Sequence, residues 1–91
     1  MINGINDDRA VRYEVAQEII SSVMALKTEA LADERAKKRP NQKTISALLE
    51  ERQALAIERR MLSSDNEQAI AHVFQDYAPI IKAKLSIAHA A

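Results

Sequence analysis

Apolar residues recur along this chain at the three- and four-residue intervals of α-helices, and two groups of helix-breaking residues divide the pattern. The first break is Arg39-Pro40-Asn41, because proline cannot donate a hydrogen bond inside a helix. The second break is Ser63-Ser64-Asp65-Asn66, whose short polar side chains favour helix ends over helix interiors. The pattern therefore predicts an all-α fold with three amphipathic helices, near residues 8–38, 42–62 and 66–88.

The first predicted helix has an apolar face that covers about half of its circumference, which is wider than the roughly 100° needed to cover one neighbour. The residues of this arc are Val15, Ala16, Ile19, Ile20, Val23, Met24, Leu26, Ala30 and Leu31. We expect this helix to contact two neighbours, or one neighbour and another subunit. Asn6 or Asp7 is expected to cap its start, because both side chains accept hydrogen bonds from free backbone N–H groups.

The second predicted helix carries Leu48, Leu55 and Leu62 at the heptad spacing of a coiled coil. Arg52 and Arg59, also seven residues apart, point into the middle of the same apolar face. Two interpretations stay open for these arginines. Their guanidinium groups reach past the core edge to water, or they pair with carboxylates across an interface. The candidate carboxylates within the chain are Glu18, Glu29 and Asp33.

The third predicted helix has a single apolar face opposite a polar one. Its apolar residues are Ile70, Val73, Phe74, Tyr77, Ile80, Ile81, Leu85 and Ala88. Ser64 and Glu67 have the spacing of a capping box at its start. Pro79 is expected either to kink this helix or to mark a restart that Asp76 caps.

The composition limits the fold to one small helical domain. The 91 residues are predicted to form a single domain, 1–91, with a flexible start at 1–7 and a frayed end at 89–91. The chain has 1 Gly and no Cys, which excludes disulfide scaffolds, cysteine zinc sites and glycine-rich nucleotide-binding loops. A chain this short buries only somewhat more than about 60% of its unfolded surface, and we predict an antiparallel helical bundle or hairpin that homodimerisation completes.

The sequence offers no set of residues for catalysis. There is no thiol, and the four hydroxyls that could matter most have no histidine within one or two turns to serve as a base: Ser21, Ser22, Ser63 and Ser64. His72 and Asp76 are four residues apart, but two ligands on an exposed helical face do not make a metal site. We therefore predict no enzyme, no cofactor and no metal. No segment reads as a membrane span or a secretory signal, which predicts a cytoplasmic protein.

We therefore predict that the protein is a small homo-oligomeric adaptor or regulator that acts through protein–protein contacts. The predicted interface residues are Tyr13, Ile20, Met24, Leu31, Arg52, Ile57, Arg59 and Met61. The alternative is a nucleic-acid-binding regulator, because residues 34–60 carry eight basic against four acidic residues in a chain whose net charge is zero. The predicted phosphate contacts are Arg35, Lys37, Lys38, Arg39 and Lys43, flanked by Lys82 and Lys84.

Overall fold

The computed structural model describes the backbone of residues 4–90 and the side chains of residues 8–86. Over this range the chain forms four helices and no strand, which confirms the predicted all-α fold. The helices are α1 (Gly4–Arg35), α2 (Gln42–Met61), α3 (Glu67–Asp76) and α4 (Ala78–Ala90). The first two match two predicted helices, and the third predicted helix is divided into α3 and α4.

The start of α1 differs from the prediction, because the helix begins at Gly4 and not near residue 8. Asn6 and Asp7 therefore lie inside the first turns of the helix, so the prediction that one of them caps its start is wrong. Their side chains lie outside the described residues. The segment 1–7, predicted to be flexible, overlaps the start of α1 from Gly4 onwards.

A buried carboxylate organises the turn between α1 and α2. The Glu34 side chain accepts a hydrogen bond from Lys37 Nζ at 2.8 Å and another from the backbone N–H of Asn41 at 2.9 Å. Asn41 is in turn the N-cap of α2, because its Oδ1 accepts from the N–H groups of Lys43 and Thr44 at 3.0 and 3.1 Å. These bonds bend the chain back directly after α1, which ends three residues earlier than predicted.

The cap of α3 also differs from the prediction. Asn66 directly precedes the helix, and its Oδ1 accepts a hydrogen bond from the N–H of Ala69 at 3.0 Å. Asn66 is therefore the N-cap, and the capping box predicted for Ser64 and Glu67 is wrong. A side chain two residues closer to the helix takes this role, with the bond to the third helical N–H that caps usually make.

Tyr77 separates α3 from α4, and Pro79 lies in the first turn of α4. Pro79 has no N–H to donate, and the first turn of a helix is the place where this is tolerated. Of the two predicted outcomes, the structure shows the restart. Asp76 does not cap this restart, because Tyr77 precedes α4 and no described N–H of α4 donates to the Asp76 carboxylate. That carboxylate lies instead 2.6 Å from His72 Nδ1, one turn back along α3.

The wide apolar arc of α1 contacts α2 on one side and α3 with α4 on the other, as its width predicts. α2 runs antiparallel to α1, since Arg59 reaches Gln17 whereas Glu51 reaches Lys27. The pair α3 and α4 runs in the same direction as α1, with Phe74 beside Arg12 near one end. α1 therefore has α2 along one side and α3 with α4 along the other, and side chains of α2 and α3 meet over it.

The core lies where side chains of α2 and α3 meet over α1. Its buried members are Ala16, Ile20, Val23, Leu55, Leu62, Ile70 and Val73. Within the described residues, however, the backbone of α2 makes no close approach to α3 or α4. The molecule is consequently flat, with extents of 59 × 32 × 17 Å. α1 forms a floor, and the helices on either side of it form two walls.

Candidate protein-interaction surfaces

Arg52 and Arg59 lie along one edge of the α1–α2 pair. Arg52 Nη1 donates a hydrogen bond to Thr28 Oγ1 at 3.0 Å, and Arg59 Nε donates to the carbonyl oxygen of Gln17 at 3.4 Å. Within the described residues, neither arginine forms an ion pair with Glu18, Glu29 or Asp33. Both guanidinium groups reach out to the helix edge, and their pairing across an interface stays a prediction.

The same edge collects other residues predicted for an interface. A shallow depression of about 460 Å³ lies on it, lined by Gln17, Met24, Ala56, Arg59 and Arg60. The Tyr13 hydroxyl oxygen accepts a hydrogen bond from Gln17 Nε2 at 3.0 Å, which fixes the tyrosine next to this depression. The edge therefore brings together four of the eight predicted residues, namely Tyr13, Met24, Arg52 and Arg59.

The remaining four predicted residues divide into an interior pair and an exposed pair. Ile20 and Leu31 are 0% and 3% exposed, so the chain itself covers both side chains. Ile57 and Met61 are 45% and 76% exposed on the side of α2 that faces away from the core. Of these four residues, only Ile57 and Met61 present apolar surface to the outside.

A second apolar surface lies between α2 and α4, along one side of α1. It is a cleft of about 250 Å³ lined by Val23, Lys27, Glu51, Ala54, Leu55, Glu58, Tyr77 and Ile80. Its floor is continuous with the core through Val23 and Leu55. At its mouth, Ile80 is 44% exposed. Lys27 Nζ lies 3.0 Å from Glu51 Oε1, so an ion pair joins the floor helix to the α2 wall.

Polar side chains close one end of this cleft. The Tyr77 hydroxyl donates to Glu58 Oε1 at 2.5 Å, and His72 Nε2 lies 3.6 Å from Glu58 Oε2. The imidazole of His72 also meets the ring of Tyr77 edge to face, with centroids 5.4 Å apart. Burial and the hydrogen bond to Glu58 raise the pKa of Tyr77 to about 12. This network links α2 to α3 and to the residue that joins α3 with α4.

The cluster around His72 does not assemble a metal site in the part of the chain that the structure describes. No group of three His, Cys, Asp or Glu side chains within residues 8–86 is arranged to hold a metal ion. Both ring nitrogens of His72 already face carboxylates, Nδ1 towards Asp76 and Nε2 towards Glu58. These side chains instead connect α2 to α3.

The five predicted phosphate contacts gather at the turn between α1 and α2, at one end of the long axis. All five residues are exposed, and they are Arg35, Lys37, Lys38, Arg39 and Lys43. Lys37 pairs with Glu34, so one of the five charges is partly neutralised. Lys84 Nζ lies 3.4 Å from Glu29 Oε1, on the outer side of α1.

The cleft contains Ala54, which the sequence pattern did not single out, and Ile80, which the pattern predicts only as part of one continuous apolar face on the third helix. Pro79 was the available signal, because a helix restart changes the direction in which later side chains point. The apolar pattern of one helix does not show how far α4 lies from α2, however, because that distance depends on the packing between helices.

No protein-family model, curated protein or solved structure matches this chain. No helix in the described range is long and apolar enough to cross a membrane.

Proposed function

We propose that this protein is a non-enzymatic, cytoplasmic adaptor or regulator that acts through protein–protein contacts as a homo-oligomer. The observation that carries the proposal is the cleft between α2 and α4. Its floor residues, Val23 and Leu55, belong to the core, and its mouth ends in the exposed side chain of Ile80. Val23 and Leu55 are themselves covered, at 2% and 7% exposed, so the apolar surface that another polypeptide would cover is the one that Ile80 presents at the mouth.

The flat shape supports the same proposal. At 17 Å the molecule is about one and a half helices thick, since one helix with its side chains is about 10–12 Å across. A chain of this size buries only about 60–65% of its unfolded surface. Contact between the broad faces of two copies would enlarge the core without lengthening the chain.

Two further contact surfaces belong to this proposal. One is the edge of the α1–α2 pair that carries Arg52 and Arg59, here called the arginine edge, and the other is the outer side of α2. Arg52 and Arg59 are held by single hydrogen bonds to α1, which leaves donors of each guanidinium group available to another chain. Arginine and methionine are enriched in protein interfaces, and Met61 is 76% exposed. These surfaces suit a second partner when the cleft is occupied by another copy.

Sedimentation equilibrium of the full chain at tens of micromolar tests the proposal. We expect an apparent mass that rises with concentration towards twice 10.2 kDa. A mass of 10.2 kDa at every concentration would refute the homo-oligomer.

A nucleic-acid-binding regulator is the second candidate, and the basic turn favours it. Arg35, Lys38, Arg39 and Lys43 are exposed and make no ion pair within the described residues. A turn of this kind at the end of a long molecule can approach a phosphate backbone closely.

A salt titration of binding to a generic DNA duplex tests this candidate. Binding through the turn predicts an affinity that falls steeply with salt, with a logarithmic slope of about −0.9 for each phosphate contact. The double substitution Lys38→Glu with Arg39→Glu should then weaken binding and flatten the slope. No binding at low salt would remove the candidate.

A further inference from the structure

α2 separates its acidic and basic residues onto different sides. Glu51 and Glu58 line the cleft, and both already have a partner there, through an ion pair and a hydrogen bond. Arg52 and Arg59 each follow one of these glutamates, which turns them about 100° further round the helix, towards the arginine edge. Arg59 and Arg60 line the depression on that edge. The two glutamates are therefore engaged on another side of α2.

The arginines of this edge are held in place by uncharged atoms. Arg52 Nη1 donates to the hydroxyl oxygen of Thr28 at 3.0 Å, and Arg59 Nε donates to the backbone carbonyl of Gln17 at 3.4 Å. Among the side chains that the structure describes, Arg52, Arg59 and Arg60 form no ion pair. A guanidinium group that is bound by a neutral acceptor keeps its charge, so this edge presents three uncompensated positive charges.

The depression beside these arginines combines cationic and apolar lining. Its volume is about 460 Å³, and its lining includes Met24 and Ala56 beside Arg59 and Arg60 but no carboxylate. Leu49, seven residues before Ala56, lies on the same side of α2 and is 37% exposed. An apolar strip therefore runs beside the arginines along about three turns of α2.

This combination suits an acidic polypeptide better than a phosphate backbone. Guanidinium groups form paired hydrogen bonds with carboxylates and with phosphates, so the arginines by themselves select only an anion. The apolar strip adds a place for apolar side chains. An amphipathic helix carries such side chains on one face, whereas a phosphate backbone offers charged and polar groups to its partners.

The arginines also set a spacing for the carboxylates of the partner. Arg52 and Arg59 are seven residues apart, which separates them by about 10.5 Å along α2. Two carboxylates seven residues apart on a helix that lies alongside have the same separation and share one face. Three turns of such a helix, about 16 Å, cover the distance from Leu49 to Arg60.

We propose that the arginine edge binds an acidic amphipathic helix of another protein, with its carboxylates on the arginines and its apolar side chains over Met24 and Ala56. This inference rests on the protein–protein function proposed above and names the chemistry of the partner. It does not depend on the homo-oligomer, because the depression and the cleft are lined by different residues of α2. A DNA duplex and a second copy of this chain are the contrary occupants.

A designed peptide measures this binding. The probe is a fluorescent, alanine-based helical peptide of about 16 residues, with leucines along one face and glutamates seven residues apart beside them. Its control has glutamine in place of each glutamate. Titration with the full chain, followed by fluorescence anisotropy, should show saturable binding of the acidic peptide. The control should bind at least tenfold more weakly, because it loses the charge-assisted hydrogen bonds, and equal binding of both peptides would overturn the inference.

Substitution of the arginines locates the site. Arg59→Gln with Arg60→Gln should raise the Kd of the acidic peptide at least tenfold. The matched control, Lys38→Gln with Arg39→Gln, removes the same charge from the exposed turn, which lies about 25 Å from Arg59 along α2. At physiological salt this distance exceeds the range of the charge, so the control should bind like the wild type. A Kd raised equally in both variants would contradict the assignment.

Arg60→Glu alone is a second variant, which guards against a loss of folding. Arg60 is exposed and forms no ion pair among the described side chains, so far-UV circular dichroism should show unchanged helix content. The reversed charge should nevertheless raise the Kd of the acidic peptide at least tenfold. A folded variant that binds like the wild type would place the peptide elsewhere.

The outcomes separate this inference from the homo-oligomer. A chain that is monomeric in sedimentation equilibrium but binds the acidic peptide through Arg59 and Arg60 refutes the homo-oligomer and supports the inference. A chain that self-associates but does not bind the peptide at up to about 1 mM refutes the inference alone. Binding of a DNA duplex in place of the peptide, or loss of self-association in the Arg59→Gln with Arg60→Gln variant, also overturns it, because either result gives the edge another occupant.

Discussion

Glu34 is a charged residue that the chain buries, with 7% of its surface exposed. The hydrogen bond from Lys37, followed by the backbone hydrogen bond from Asn41, holds the pKa of this carboxyl below its usual value. The ionised form is therefore favoured in the folded state. Glu34 contributes stability that is fully present above its unfolded pKa and is lost as the pH falls through its folded pKa.

Glu34→Gln should destabilise the protein at pH 7 and much less at an acidic pH below the folded-state pKa of Glu34, where that carboxyl is protonated. Glutamine keeps the size of the side chain but loses the charge that Lys37 and the Asn41 N–H contact. Thermal unfolding followed by circular dichroism at both pH values measures the effect, with Asp33→Asn as an exposed neighbouring control. An equal loss at both pH values would contradict the role given to the charge.

Tyr77 gives a prediction at alkaline pH. Burial, and then the hydrogen bond to Glu58, raise its pKa from 10.0 to about 12, which favours the protonated phenol in the folded state. Its contribution to stability is fully present below the unfolded pKa and is lost as the pH rises from about 10 to about 12.

Absorbance of the tyrosinate form, compared between wild type and Tyr77→Phe, isolates this group. The difference between the two titrations should show a transition near pH 12, and a transition near pH 10 would contradict the contact with Glu58. At neutral pH, Tyr77→Phe should lower the free energy of unfolding by about 0.5–1.5 kcal/mol, the usual contribution of one hydrogen bond.

At the scale of helices, apolar periodicity and breaking residues predicted the number of long segments and most of their limits. The start of α2 follows from Pro40 and Asn41, a local signal that needs no tertiary contact. The end of α1 was missed, because it depends on a bond between Glu34 and a backbone N–H seven residues later. Periodicity carries no information about such a bond.

Asn41→Ala should cost about 1 kcal/mol of stability, because it removes the acceptor for two N–H groups at the start of α2. The control is Gln42→Ala, at the first residue of the helix, which should change stability by less than about 0.5 kcal/mol. Urea unfolding provides the comparison: the midpoint should fall for Asn41→Ala at an unchanged slope. Equal midpoints for the two variants would rule out the cap.

At the scale of the whole molecule, the wide arc of α1 correctly predicted neighbours on two sides. The arginine edge was also foreseeable in part, since Arg52 and Arg59 share a helix face at heptad spacing. The cleft could not be predicted from the sequence, because it depends on the distance between α2 and α4, the helix that follows Tyr77. That separation is set by packing among the helices, and it leaves Ile80 44% exposed at the mouth of the cleft.

Native mass spectrometry of a mixture of isotope-labelled and unlabelled chains tests the central claim, self-association, most directly. The account predicts dimers near twice 10.2 kDa, including a third species of intermediate mass with one chain of each kind. Two monomer species near 10.2 kDa, with no mixed species at any concentration up to tens of micromolar, would contradict it.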